Sequence, residues 1–114
     1  MPFIRITTNS PLSTEAREKI KSDLGKAITT IHKTEEWLMV GFDVVDKNSL
    51  YFQGSNETCA IVEISVYGSI RNSDFDPMTS KVTEIISKEG GLDPDRIYVN
   101  YREVEHWGLG GSNF

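Results

Sequence analysis

Asn48-Ser49-Leu50-Tyr51-Phe52-Gln53-Gly54-Ser55 stands near the middle of the chain, and its reading decides the fold. Its LYFQGS core has the sequence of a protease site commonly engineered between a tag and a domain. If it is such a junction, the chain is two pieces and a linker, and the junction is set aside before fold reasoning. If it is native, both flanks belong to one fold. The flanks favour native sequence. A junction sits near a chain end, whereas this stretch lies between two segments of matching pattern. The glutamate expected five residues before the glutamine is absent, because Asn48 stands there. Leu50–Phe52 can form a short edge strand, and Gly54-Ser55-Asn56 is a turn signal.

Working outward, each flank spells the same plan. Upstream, residues 2–8 alternate, with Ile4, Ile6 and Thr8 on one side, which predicts a strand. Asn9-Ser10-Pro11 breaks it. Ser13 and Thr14 are candidate N-caps, with Glu15 in the first turn. Ala16, Ile20, Leu24, Ala27, Ile28 and Ile31 then form one apolar stripe, predicting a helix near 13–32. Trp37–Val45 alternates again and reads as a strand. Downstream, Cys59–Tyr67 reads as a strand. Asp76-Pro77 marks a helix start, Met78, Val82, Ile85 and Ile86 line its buried face, and Gly90-Gly91 stops it. Leu92-Asp93-Pro94-Asp95 is a turn into a last strand over Ile97–Val104.

Two β-α-β units therefore predict an α/β (α+β) fold: a four-stranded mixed sheet with two helices on one face, plus short edge strands. Within each unit the crossover makes the strands parallel and right-handed. At 114 residues the expectation is a single domain over 1–114.

Composition narrows function. Twelve basic residues against 17 acidic ones leave a net charge of −5, with no basic run. Such a chain is a poor nucleic-acid binder, because phosphate neutralisation dominates that affinity. No apolar stretch approaches the ~18 residues of a membrane span, so no membrane partner is expected. Residues 1–10 lack the charged and apolar regions of a signal peptide, which points to the cytoplasm. The sequon Asn56-Glu57-Thr58 is then a chance match. Cys59 is the one cysteine, read as a small buried hydrophobe. His32 and His106 show no ligand spacing, so no metal is expected.

One residue could carry chemistry. If Met1 is removed, Pro2 presents a secondary amine. Desolvation and nearby cations lower an amine's pKa toward working pH. A base poised there can take a proton from carbon beside a carbonyl. By itself, though, Pro2 could simply begin a strand.

The wider pattern shifts that balance. Met1-Pro2, Lys33 after the first helix, F-x-G-S at 52–55, D-R-I-Y-V-N-Y at 95–101 and W-G-x-x-G-S-x-F at 107–114 occur together in order. The chain thus resembles, over essentially its whole length, the macrophage migration inhibitory factor family of the tautomerase superfamily. The resemblance implies that LYFQGS is native. It also implies a homotrimer with active sites between subunits. Pro2 takes the role of catalytic base and Lys33 that of the cation for a substrate carboxylate. Tyr67, Tyr98 and Asn100 match positions near the substrate, and Trp37, Trp107 and Phe114 are expected as apolar walls. The implied activity is keto–enol tautomerisation of a phenylpyruvate-type α-keto acid, with no cofactor. The chain departs from the family at His32-Lys33-Thr34, where G-K-P is usual, at Tyr67, where an aliphatic residue is frequent, and at Leu109, where many members carry tryptophan.

Three rivals stand beside this reading. The alternative is a cytokine-like ligand of a cell-surface receptor, exported by a route that bypasses signal peptides, with the pocket incidental. A thiol–disulfide oxidoreductase is disfavoured, because Cys59 has no C-x-x-C partner. A dehalogenase or hydratase would need an arginine-rich site, and the sequence leaves Arg5, Arg71 and Arg102 unplaced.

Overall fold

The computed structural model describes all residues from Met1 to Phe114. Both halves of the sequence contribute to one four-stranded sheet. β1 (Pro2–Thr8), α1 (Thr14–Ala27) and β2 (Met39–Val44) form the first unit; β3 (Ala60–Tyr67), α2 (Asn72–Gly90) and β4 (Ile97–Val104) form the second. The strand order is β2-β1-β3-β4. β1 runs parallel to β2, with Phe3 opposite Met39, and β3 parallel to β4, with Ala60 opposite Ile97. The units join through the antiparallel pair β1 and β3, with Pro2 opposite Val66 and Thr8 opposite Ala60. The mixed sheet expected from two crossovers is therefore present.

Strand alternation decides which face is covered. Ile4 and Ile6 of β1 meet Val62, Ile64 and Val66 of β3 beneath the helices. Ile20, Leu24 and Ile28 come down from the first helix and its extension, and Met78, Val82 and Ile86 from α2, into the same core. The opposite face carries Phe3, Arg5, Glu63, Ser65, Asn100 and Arg102, which line a shallow cavity of about 400 Å³. No helix of the chain covers that face. There Arg5 lies 3.0 Å from Asp43 on the neighbouring strand. No helix is long and apolar enough to cross a membrane.

Element ends depart from expectation for local reasons. α1 is capped by the Ser13 hydroxyl, which accepts from Ala16 N–H. It tightens into a 3₁₀ turn, Ile28–Ile31, before ending. Trp37 belongs to a turn, Glu35–Trp37, and β2 begins only at Met39. α2 starts at Asn72, four residues before the expected Asp76-Pro77. Proline is favoured in the first turn of a helix, which made Asp76-Pro77 look like the start. Here Asp74 N–H already bonds to Arg71 O at 2.9 Å, so the helix is under way and Pro77 falls in its second turn. Gly91 ends α2 in the left-handed conformation with φ 67°, as the glycine pair predicted. The short strands β5 (Gly108–Leu109) and β6 (Ser112–Asn113) pair in the tail.

Leu50–Phe52 does not form an edge strand. Phe52 and Ser55 exchange two backbone hydrogen bonds of 2.9 and 3.0 Å around a two-residue turn. Gln53 and Gly54 both take positive φ, 53° and 75°, as the hairpin turn matched to strand twist requires. Arg96 then clasps the hairpin to β4. Its guanidinium donates to the carbonyls of Phe52, Ser55, Glu57 and Thr58 at 3.1–3.2 Å. It also lies over the Phe52 ring. A protease specific for LYFQ-G needs an extended substrate, and Gln53-Gly54 is folded into the tip of a turn. Overnight digestion at native pH is expected to leave one intact 12.8 kDa species by mass spectrometry. Two fragments split after Gln53 would show that the hairpin opens readily.

Candidate active site

The start of β1 is built around a proline that costs the sheet nothing. β1 is a central strand, where the missing N–H of proline is normally excluded. Pro2 is its first residue, and pairing with β2 begins only at Phe3. Pro2 is buried, opposite Val66. Met1 continues the line: its carbonyl accepts from Tyr67 N–H at 2.9 Å.

Lys33 reaches this terminus from a different element. Its Nζ donates to the Tyr67 carbonyl at 3.1 Å. The backbone of Tyr67 thus holds the N-terminal strand through its N–H and the lysine through its C=O. Two causes lower the pKa of the terminal amine, here that of Met1, below its ordinary value: burial first, then the positive charge of Lys33. With Met1 in place the nitrogen of Pro2 is an amide.

Aromatic groups border the same spot. The Tyr67 and Phe114 rings are 5.6 Å apart, tilted by 37°. Phe114 N–H bonds to Trp107 O at 3.0 Å, which turns the tail back on itself. The fold therefore brings Pro2, Lys33, Tyr67, Phe114 and Trp107 into one neighbourhood. Trp37 lies on the connection from Lys33 to β2, with half its surface exposed.

Tyr98 and Asn100 are not brought there within one chain. They lie opposite Ile61 and Glu63, whereas Pro2 lies opposite Val66. Five residues of offset along β3 put Tyr98 about 17 Å from the Pro2 row. The Tyr98 ring instead packs edge-on against Phe52, with centroids 4.9 Å apart. No group of three or more His, Cys, Asp or Glu side chains is placed to hold a metal ion.

Two supporting residues escaped the sequence reading. Arg96 is the clasp already described. Asn9 is buried, and its amide donates to the carbonyls of Lys47, Leu50 and Asn56 while its oxygen accepts from Cys59 N–H at 2.9 Å. It fixes the long connection between β2 and β3. In sequence it is one residue of a strand-breaking triplet, and nothing there signals partners 38 to 50 residues away.

Two crossover units sharing one sheet, with a lysine delivered to the end of β3 beside the chain terminus, define an α/β class represented among known structures. The fold is similar to the crystal structure of Leishmania major MIF2, with a TM-score of 0.92, 31% identity, and coverage of 100% of this chain and 97% of that one. It is similar also to macrophage migration inhibitory factor of Toxoplasma gondii, with a TM-score of 0.90 at 20% identity over 98% and 99% of the chains. In sequence it is 26% identical to macrophage migration inhibitory factor of Mus musculus over 117 residues, spanning 100% of this chain and 99% of that protein. The profile of the macrophage migration inhibitory factor family matches residues 1–114, and the chain belongs to that family.

Proposed function

We propose that the protein is a keto–enol tautomerase of α-keto carboxylates such as phenylpyruvate, using the Pro2 amine after removal of Met1. One observation carries the reading: Lys33 is held against Tyr67 beside the chain terminus, where burial and its own charge lower the pKa of the Met1 amine one residue from Pro2. A neutral Pro2 amine takes a proton from the carbon beside the ketone. The electron pair moves into the enolate, and the proton returns to its oxygen; the reverse reaction exchanges the two sites. No electrons leave or enter. Lys33 pairs with the substrate carboxylate, and its positive charge favours the neutral form of the amine. The Tyr67–Phe114 pair offers the aryl group an apolar wall. Only a neutral amine accepts a proton, so kcat/KM falls as pH drops through its pKa. Burial and Lys33 act to set that fall at lower pH than for an unperturbed prolyl amine.

The active unit in this reading is a homotrimer with the site between subunits. The uncovered sheet face and the distance of Tyr98 and Asn100 from Pro2 in one chain support it. A neighbouring copy supplies those two residues. The experiment that tests the proposal is phenylpyruvate tautomerisation by protein whose Met1 loss is confirmed by intact mass and whose trimer is confirmed by sedimentation. No turnover from that species would overturn it.

Lys33→Ala separates the roles. Losing a charge-assisted bond to the carboxylate is expected to raise KM about ten- to a hundredfold. The acid limb of kcat/KM should also move to higher pH, because a cation that lowers the amine pKa is gone. An unchanged KM would remove Lys33 from the site.

The second reading, a ligand for a cell-surface receptor, draws on the name of the Mus musculus relative. Receptor binding that survives substitution of Pro2 in a protein without turnover would favour it.

A further inference from the structure

The turn that delivers Lys33 is closed by a residue ill-suited to its backbone. After the 3₁₀ turn, His32 N–H donates to Thr29 O at 3.0 Å and Lys33 N–H to Ile28 O at 3.3 Å. That pair of bonds is the Schellman arrangement, which requires its central residue to be left-handed. His32 has φ 61°. Glycine takes that conformation freely, whereas a residue with a Cβ must be held there by its surroundings.

The surroundings that hold it are in α2. His32 Nε2 lies 3.3 Å from Asp74 Oδ2. That oxygen is closed off from solvent and has no hydrogen-bond partner. A buried carboxylate oxygen without a donor is costly, so it attracts the polar edge of the imidazole 3.3 Å away, although the pair does not meet hydrogen-bond geometry.

We propose that His32 and Asp74 are positioning residues for Lys33. Their contact holds residue 32 left-handed, so that Lys33 leaves the turn directed at the Tyr67 carbonyl, and it ties that turn to the start of α2. What Lys33 then does for substrate rests on the tautomerase reading; how it is positioned does not.

Asp74→Ala removes the tether. Phenylpyruvate KM is expected to rise roughly tenfold with kcat changed less than about twofold. Exchange of the His32 and Lys33 backbone amides, followed by NMR, should accelerate about tenfold. Asp74 also occupies the third position of α2, where a carboxylate favours the helix N-terminus. Loosening of α2 must therefore be told apart from loss of the tether. Adding His32→Gly to Asp74→Ala does so: glycine needs no tether at φ 61°, so KM and amide protection should largely recover. Damage confined to α2 would not be repaired by a glycine in another turn. Unaltered amide exchange in Asp74→Ala, or no recovery with His32→Gly, would overturn the proposal. If the parent protein itself fails to turn over phenylpyruvate, the tautomerase reading fails, and amide exchange alone decides the pair.

Discussion

Pro2→Gly, in protein shown to have lost Met1, is expected to lower phenylpyruvate kcat/KM by roughly 10–10²-fold, less than the ~10²–10⁴-fold contributed by a positioned acid–base group, because an amine remains. The change keeps an amine at the same place, so it tests the character of the base and its presentation. Proline offers a secondary amine on a fixed φ, seated where the strand needs no N–H. Glycine offers a primary amine on a freely rotating terminus. Burial and Lys33, which lower the pKa of the Met1 amine, lie at this end of the strand in either case. KM should move little, because the carboxylate partner is untouched. Retained Met1 is the complementary control: Pro2 nitrogen is then an amide, and turnover should be lost by the full ~10²–10⁴-fold contributed by the base. Activity within about threefold of the parent for both proteins would place the base elsewhere and sink the mechanism.

Asn9→Ala carries the largest expected stability effect. Asn9 is 4% exposed, and its side chain serves three carbonyls and one N–H of the connection between β2 and β3. Removing it leaves those part-buried groups without their partner. Each unsatisfied buried group costs about 1–3 kcal/mol, and partial rehydration of the loop brings the sum to about 3 kcal/mol. At roughly 4–8 °C per kcal/mol, Tm should fall by about 12–24 °C. Asn9→Asp keeps the acceptor for Cys59 N–H but loses the donations, and should not rescue. A Tm within about 3 °C of the parent would mean that the three carbonyls hydrate freely, and the connection would not depend on Asn9.

The sheet was legible because its signals are local. Ile4, Ile6, Val62, Ile64 and Val66 announce their face by a period of two, and Ile20, Leu24, Met78, Val82 and Ile86 theirs by helical spacing. The start of α2 lies earlier than Asp76-Pro77 because proline's preference for the first helical turn is a tendency, and Arg71–Asp74 had already nucleated the turn. The site was legible only through the resemblance. Pro2, Lys33, Tyr67 and Phe114 are far apart in sequence, and no periodicity connects them. Asn9 and Arg96 were invisible for a related reason: each acts through carbonyls of other segments, and a carbonyl carries no residue identity.

The antiparallel pair at the centre of the sheet also dictates how the chain comes to be folded. β1 finds its central partner only when residues 60–66 exist, so the pairing closes a loop of more than 50 residues at its shortest. During synthesis at ~5–20 residues per second, that partner follows β1 by several seconds. α1 can form meanwhile, and β2 can pair with β1, but Ile4 and Ile6 remain open on the other edge. Such non-local pairing makes for slow folding and a window of exposure to association with other chains. The first unit is therefore an obligate half, exposed until the second arrives to cover it.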